Sequence, residues 1–346
     1  MPTRNRRDAR PTIKDVALRA GVTDMTVSRV VNGSGPVSQP VRERVENAIA
    51  DLGYIPSRIA RGLRSRRTNT LALVVSDVTN PFFTTVARGV EDAASDRDHL
   101  VLLCNTDESE EEEIRYLQMI ASQNVDGVLL VPAQTGERAR ELALRWRLPL
   151  VILDRSVPAS DLSVVRCDAQ SGARAMVEHL SSLGHREILI LAGPAEAAPS
   201  KDRVSAALQA IEHEGGHGSV VYGKLTAESG REGVERCLAL APRPTAIFAL
   251  NNFLTIGALQ ALNDRSVKVP EELSLVGFDD LPLAMVERPF LTVVTQPAYE
   301  MGRAAVGVLL DEVAAPVSPK QEVLLPTELL IRGSSGPVPT ASTPPR

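Results

Sequence analysis

Aromatic side chains make up only 3% of the 346 residues, and there are just three cysteines. Cys104, Cys167 and Cys237 are far apart and odd in number. That argues against a disulfide framework or a zinc site and reads as free thiols in a reducing, cytoplasmic compartment. No apolar run approaches the ~20 residues a membrane span needs. The opening Met1-Pro2-Thr3-Arg4-Asn5-Arg6-Arg7 is basic with no apolar stretch behind it, so it does not read as a secretory signal. The complete phosphate loop Gly-x-x-x-x-Gly-Lys-Ser/Thr and the Gly-x-Ser-x-Gly nucleophile elbow are both missing, which removes two large enzyme classes. His213-Glu214-Gly215-Gly216-His217 matches the zinc-protease string, but two central glycines oppose the single helix that string requires. No cofactor and no metal is expected.

What is present is length, apolar content and a lopsided charge. With 346 residues and 43% hydrophobic content, the chain can build two or three domains. Its net charge of −5 conceals an asymmetry: residues 1–67 hold fourteen Lys/Arg against six Asp/Glu, a net +8, leaving −13 for the rest. A basic head on an acidic body is the footprint of a nucleic-acid-binding module, although charge alone also fits a merely solvated basic surface.

Residues 1–10 read as a disordered basic tail. Thr12-Ile13-Lys14-Asp15 has the spacing of a helix start, with Ile13, Val16, Ala17 and Ala20 following at helical intervals to Gly21. Thr23 can cap a second helix through Met25, Val27, Ser28 and Val31, ended by Asn32-Gly33. A third follows Ser38 with Val41, Val45, Ile49 and Leu52 on one face. Three short helices with a tight turn between the first two predict a helix-turn-helix over residues 11–56. Residues 57–69 read as two helical turns and a linker.

From residue 70 to 335 short apolar strands alternate with helices. Four strands (71–75, 100–103, 127–131, 150–153) form one series and four more (188–191, 220–222, 246–249, 273–276) a second. This predicts an α/β core of two doubly wound parallel-sheet lobes, with a ligand cleft at the carboxyl ends of the strands. Glu110-Glu111-Glu112-Glu113 reads as a solvated helix start, and residues 336–346 as a disordered tail.

Residues 12–33, with Ala20-Gly21-Val22, Thr26-Val27-Ser28-Arg29-Val30 and Asn32-Gly33 in spacing, resemble the lactose-repressor (LacI/GalR) family of transcription regulators. So do Leu52-Gly53-Tyr54-Ile55-Pro56 before the hinge, and the ordered core series Asn80-Pro81-Phe82-Phe83, Asp126-Gly127, Asp154-Arg155, Gly184-His185-Arg186, Gly193-Pro194, Arg203, Gly277-Phe278-Asp279-Asp280 and Thr295-Gln296-Pro297. The resemblance implies a periplasmic-binding-protein-like core, a homodimer, a pseudo-palindromic double-stranded operator, repression, and a small-molecule effector between the lobes rather than catalysis. A periplasmic solute-binding protein would share the core but not the head.

By that resemblance the helix opening at Thr23 lies in the major groove, with Asp24, Met25 and Arg29 at base-reading positions. Arg29 suits a guanine, with a phosphate contact as the other reading. Asp24 either accepts from a cytosine amino group or holds Arg29. Met25 suits a thymine methyl. Thr12, Thr23, Thr26, Ser28, Asn32 and Arg58 complete the DNA face, those that touch backbone positioning without specifying. Leu63 matches the hinge leucine that wedges a minor-groove step, or else makes only a contact between hinge helices.

The effector residues implied are Asn80, Phe82, Phe83, Asp154, Arg155, Arg203, Asn251, Asp279 and Gln296. Asn252 stands where the family often has Asp, and Leu225 and Ala298 where sugar-binding members often carry an aromatic. Arg155, Arg203 and Lys224 add anionic metabolites, such as phosphorylated sugars, to the candidates. Gly62 also departs from the family and weakens an already marginal hinge helix by ~1 kcal/mol. That helix is therefore expected to form only on DNA, or when the partner hinge lies beside it. Circular dichroism should show helix gained on adding operator; no gain contradicts coupled folding.

Overall fold

Threonine and glycine punctuate the first fifty residues, and the backbone obeys them. The protein is seen here as a computed structural model describing residues 11–55, 68–157, 161–281, 289–315 and 319–339. The tail 1–10, residues 56–67 with Arg58 and Leu63, and residues 340–346 fall outside that set. Helices α1 (Ile13–Ala20), α2 (Asp24–Asn32) and α3 (Gln39–Leu52) form the head. The Asp15 carboxylate accepts from the Thr12 N–H at 2.8 Å and its hydroxyl at 2.7 Å, closing the first turn of α1. Gly21, at φ 65°, turns the chain into α2, whose Thr26 N–H donates to the Thr23 hydroxyl at 3.3 Å. Val16, Ala17, Ala20, Val27, Val30, Val45 and Ala48 form a small core. On α2 the inward pair is thus Val27 and Val30, while Met25 points out.

Contacts divide the chain into that head, residues 1–68, and a body, residues 69–346. The body holds twelve strands among the described residues: β1 (Thr70–Val75), β2 (Leu100–Asn105), β3 (Gly127–Leu130), β4 (Leu150–Leu153), β5 (Ser163–Cys167), β6 (Glu187–Ala192), β7 (His217–Tyr222), β8 (Ala246–Ala249), β9 (Ser274–Phe278), β10 (Thr292–Thr295), β11 (Glu322–Leu325) and β12 (Glu328–Leu330). The helices between them are α4 (Pro81–Ser95), α5 (Glu110–Ser122), α6 (Glu137–Trp146), α7 (Ala169–Ser182), α8 (Ala198–His213), α9 (Ala227–Ala239), α10 (Asn252–Asp264) and α11 (Ala298–Ala314). Two six-stranded sheets run β11-β5-β4-β3-β1-β2 and β12-β10-β9-β8-β6-β7. Every described pairing is parallel except β10 with β12. The central strands β1, β3, β4, β6, β8 and β9 are buried on both faces, as parallel sheets require, whereas the edge strand β2 is largely exposed.

The sequence reading found eight strands and missed β5, β10, β11 and β12. These four carry the crossovers, so the lobes are not two consecutive stretches. The chain passes from lobe 1 to lobe 2 after β5, returns after β10, and crosses again between β11 and β12. Helix α11 buries Met301, Ala305, Val306 and Leu309 in the core of lobe 1. It lies so close to α4 that a β-carbon at Gly89 or Gly302 would collide with backbone carbonyls of the other helix. Glycines Gly230 and Gly257 play the same part between α9 and α10 in lobe 2.

Two further readings change, those of the C-terminal segment and of Glu113. Gly336–Pro339 are held against lobe 2: the Gly336 N–H donates to Ser274 Oγ at 3.1 Å, its carbonyl accepts from His185 Nε2 at 3.0 Å, and Val338 N–H donates to the Leu183 carbonyl at 3.1 Å. A Pro/Ser-rich composition hid these backbone partners. His213 closes α8, whereas His217 opens β7 beyond a left-handed Gly215, so the zinc-like string spans two elements. Among the described residues no cluster could hold a metal ion, and no helix is long and apolar enough to cross a membrane. Glu113, finally, is not solvated. It is 1% exposed and accepts from the Ala133 N–H at 2.6 Å.

Burial raises the Glu113 pKa to about 7, against the relief of the Ala133 hydrogen bond. The unfolded carboxyl titrates near 4.5. Between those values the folded chain keeps a proton the unfolded chain has released, so stability declines as pH rises through this window. Glu113→Gln removes that decline. Its melting temperature relative to the parent should rise by on the order of 3–6 °C from pH 5 to pH 8; a constant difference would refute the assignment.

Candidate functional site

Two faces collect the candidate residues. On the head, Thr23, Asp24, Met25, Arg29 and Asn32 are exposed along one side of α2, with Thr26 and Ser28 half-buried beside them. Val27 and Val30 supply the packing of this helix, which leaves the side chains of Thr23, Asp24, Met25 and Arg29 facing solvent. The Arg29 guanidinium leans on Met25 Sδ at 3.8 Å, and Asn32 Nδ2 donates to Ser28 Oγ at 3.1 Å. Among the described residues no ion pair joins Asp24 to Arg29, so the first of these keeps its acceptor oxygens for another donor. Leu18, 85% exposed on α1, is an apolar residue on the head surface that the sequence reading passed over.

In the body, the carboxyl ends of the two sheets face a common cleft. Asp154 follows β4 and Asp279 follows β9, at matching places in the two lobes. Both adopt left-handed backbone, φ 64° and 70°, and each donates its N–H to the neighbouring strand, to Val165 at 3.0 Å and Val294 at 2.8 Å. Non-glycine residues in that region carry strain, and strain repeated at the same place in both lobes marks a position fixed for use. Asp279 accepts from Gln296 Nε2 at 2.6 Å and lies 3.8 Å from Arg203 Nη1. Arg203, on α8, also donates to the Leu250 carbonyl at 2.9 Å and stacks 3.9 Å above the Phe278 ring. Its Nε is buried without a partner. Asn251 caps α10 by accepting from Phe253 N–H at 2.9 Å.

Arg155 differs from Arg203. Its two terminal nitrogens are consumed within lobe 1, by Glu108 at 2.5 and 2.8 Å and by the carbonyls of Pro132 and Ala133, although its Nε, like that of Arg203, is buried without a partner. Phe82 and Phe83 meet edge to face at 5.0 Å and belong to the core of lobe 1. Burial raises the pKa of both Asp154 and Asp279, with Arg203 the chief opposing influence on each. Burial also pushes the Cys167 thiol up, and the two aspartates add to it, which places this cysteine beside the cleft.

Among the described residues two hydrogen bonds cross between the lobes. Asn252 Nδ2 donates to Asn80 Oδ1 at 2.9 Å, and the Ser156 hydroxyl donates to Asp202 Oδ2 at 3.1 Å. The structure therefore gathers Asp154, Arg203, Asn251, Asp279 and Gln296, and joins Asn80 to lobe 2. Glu108, Ser156, Asp202 and Cys167 were not read as site residues. Each meets its partner across tens of residues of sequence, a relation that periodicity does not carry.

The family model described as "Bacterial regulatory proteins, lacI family" matches residues 12–57, and that described as "Periplasmic binding protein-like domain" matches residues 177–335. The ribose operon repressor of Escherichia coli (strain K12) is 32% identical over 328 residues, covering 94% of this chain and 99% of its own. The lac repressor dimer bound to operator and the anti-inducer ONPF has a similar structure, with TM-score 0.86, 26% identity, and coverage of 95% and 100%. The transcriptional regulator CelR in complex with cellobiose has TM-score 0.71, 34% identity, and coverage of 94% and 100%. A helix-turn-helix head, a two-lobed core and near full-length likeness to repressors converge: the chain belongs to the lacI family and is a DNA-binding transcription regulator rather than an enzyme.

Proposed function

We propose that the protein is a cytoplasmic repressor that grips a two-fold operator as a homodimer and is controlled by a neutral, hydroxyl-rich metabolite held between its lobes. The observation that carries the effector class is the charge of the cleft. Arg203 is the chief positive neighbour of both Asp154 and Asp279, and Arg155, the next for Asp154, has its terminal nitrogens paired with Glu108. A second anion from a ligand would meet two buried carboxyls and a single available guanidinium. Hydroxyls, by contrast, donate to carboxylates and accept from Arg203, whose Nε still lacks a partner. CelR, in complex with cellobiose, is a relative consistent with such a ligand. No cofactor enters this scheme.

The dimer reading draws on lobe 1. Leu100, Leu102 and Leu103 are 55%, 43% and 53% exposed on β2, the outermost strand of its sheet. An apolar edge strand left bare invites pairing, and a second copy is the occupant that a two-fold operator calls for. The lac repressor relative was solved as a dimer on its operator. Effector and operator then influence each other equally, since linkage is reciprocal, by about 1–3 kcal/mol.

Two experiments test the parts separately. Arg29→Ala should weaken operator binding about tenfold or more while leaving non-specific affinity nearly unchanged; an equal loss on all sequences would make Arg29 a phosphate contact. In calorimetry against neutral sugars and their phosphorylated or acid forms, the neutral members should bind, and Arg203→Ala should abolish the heat. Tight binding confined to anions would overturn the effector class.

A further inference from the structure

Helix α4 of lobe 1 and helix α10 of lobe 2 begin at the same place in the cleft, and the cap of α4 touches the first residue of α10. The Phe82 N–H donates to Asn80 Oδ1 at 3.0 Å, and the same oxygen accepts from Asn252 Nδ2 at 2.9 Å. Asn252 Oδ1 in turn accepts from the Phe253 N–H at 2.8 Å. Both asparagines are buried, 7% and 1% exposed. The chain of bonds fixes which end of each amide is which. The Phe82 N–H turns the Asn80 oxygen to α4, and only a donor can meet that oxygen from lobe 2; the Phe253 N–H, shared with Asn251 Oδ1 at 2.9 Å, suits this orientation of Asn252 without forcing it. For Asn252 that leaves only the NH2 group to face lobe 1. For Asn80 the oxygen serves both helices.

We propose that Asn252 is a positioning residue that ties the two lobes together across the cleft, and that the tie has a direction: position 252 must donate and position 80 need only accept. Ser156 and Asp202 supply a second tie. The inference deepens the effector-cleft reading and rests on it for its use, but the tie itself is made by side chains of the two lobes alone. Its directional character separates two substitutions that look alike. Asn80→Asp keeps an acceptor for Phe82 and for Asn252, and sets a carboxylate at a helix start, where it is favoured. Asn252→Asp removes the donor and turns a carboxylate oxygen toward an amide oxygen. Losing one neutral hydrogen bond lowers the ratio of joined to parted lobes on the order of fivefold.

The test uses the full chain without DNA or small molecule. Spin labels are placed at exposed Ser122 in lobe 1 and Ser182 in lobe 2, with the half-exposed Cys104→Ser, and the inter-label distance distribution is measured. Asn252→Asp and Asn80→Ala should each move population to a new distance, Ser156→Ala should do so in part, and Asn80→Asp should superimpose on the parent. An unmoved Asn252→Asp distribution overturns the proposal. So does an Asn80→Asp shift as large as that of Asn80→Ala. If Asn252→Asp fails to fold, the contrast between the two Asn80 variants decides alone. Failure of every metabolite to bind would sink the effector reading and leave this result standing.

Discussion

Neither lobe of the body can fold alone, because each borrows chain from the other. Lobe 1 needs α11 for its core and β11 for its sheet, and the chain reaches them only after building most of lobe 2. The crossovers are also bonded to one another. The Asp168 N–H, just past β5, donates to the Leu325 carbonyl at 2.8 Å, and the Thr327 hydroxyl donates to the Asp168 carbonyl at 3.1 Å. Gly172 packs so closely that a β-carbon there would press Thr327 and Val294, which come from the other two crossings. Three strands of chain gathered in this way resist separation and shear, and leave rotation of one rigid lobe against the other as the soft motion. Gln296, on the middle crossing, is hydrogen-bonded to Asp279, so a ligand touching that carboxylate acts close to the pivot.

Charge in the cleft is arranged with the same economy. Five ionisable groups lie near one another, yet Glu108 and Arg155 neutralise each other inside lobe 1. What remains for the cleft is two aspartates in strained backbone and one arginine stacked on Phe278. Carboxylates accept readily from hydroxyl donors and are poor neighbours for an anion, and Arg203 opposes the burial that would otherwise protonate these two. A tally of basic residues from the sequence counts Arg155 and Lys224 as available; the geometry removes the first by pairing and leaves the second exposed on the surface.

The head was legible almost residue by residue. Its signals are local: Thr12 with Asp15, Thr23 with Thr26, and glycines at the helix ends all lie within four residues of what they control. Strands β1 to β4 and β6 to β9 announced themselves as apolar runs. Strand β5 carries Arg166 and begins at Ser163, β10 is bracketed by threonines, and β11 and β12 are edge strands opening with glutamates. Their polar residues satisfy an edge or a crossover and so mask the apolar pattern. Within the site, Asp154, Asp279 and Arg203 came through the ordered family motifs, whereas Glu113 was misread because a run of four glutamates looks solvated even when helical rotation turns the fourth inward. The tie between Asn80 and Asn252 joins residues 172 apart and leaves no pattern in the sequence.

The strength of that tie matters as much as its existence. A regulator needs two lobe arrangements close enough in free energy for a metabolite to choose between them, and typical couplings are about 1–3 kcal/mol. Two hydrogen bonds of about 1 kcal/mol each fall in that range, one between neutral amides and one from a hydroxyl to a carboxylate. A buried ion pair at position 252 would have cost several kcal/mol of desolvation, and leaving one partner alone when the lobes part would cost as much again. The ion pairs of this body instead sit within single lobes, as Arg155 with Glu108 and Arg332 with Asp280 do, where no motion has to break them. Strong bonds hold each lobe rigid, weak ones span the cleft, and that ordering of strengths lets a small molecule shift the balance between the lobes without unfolding either.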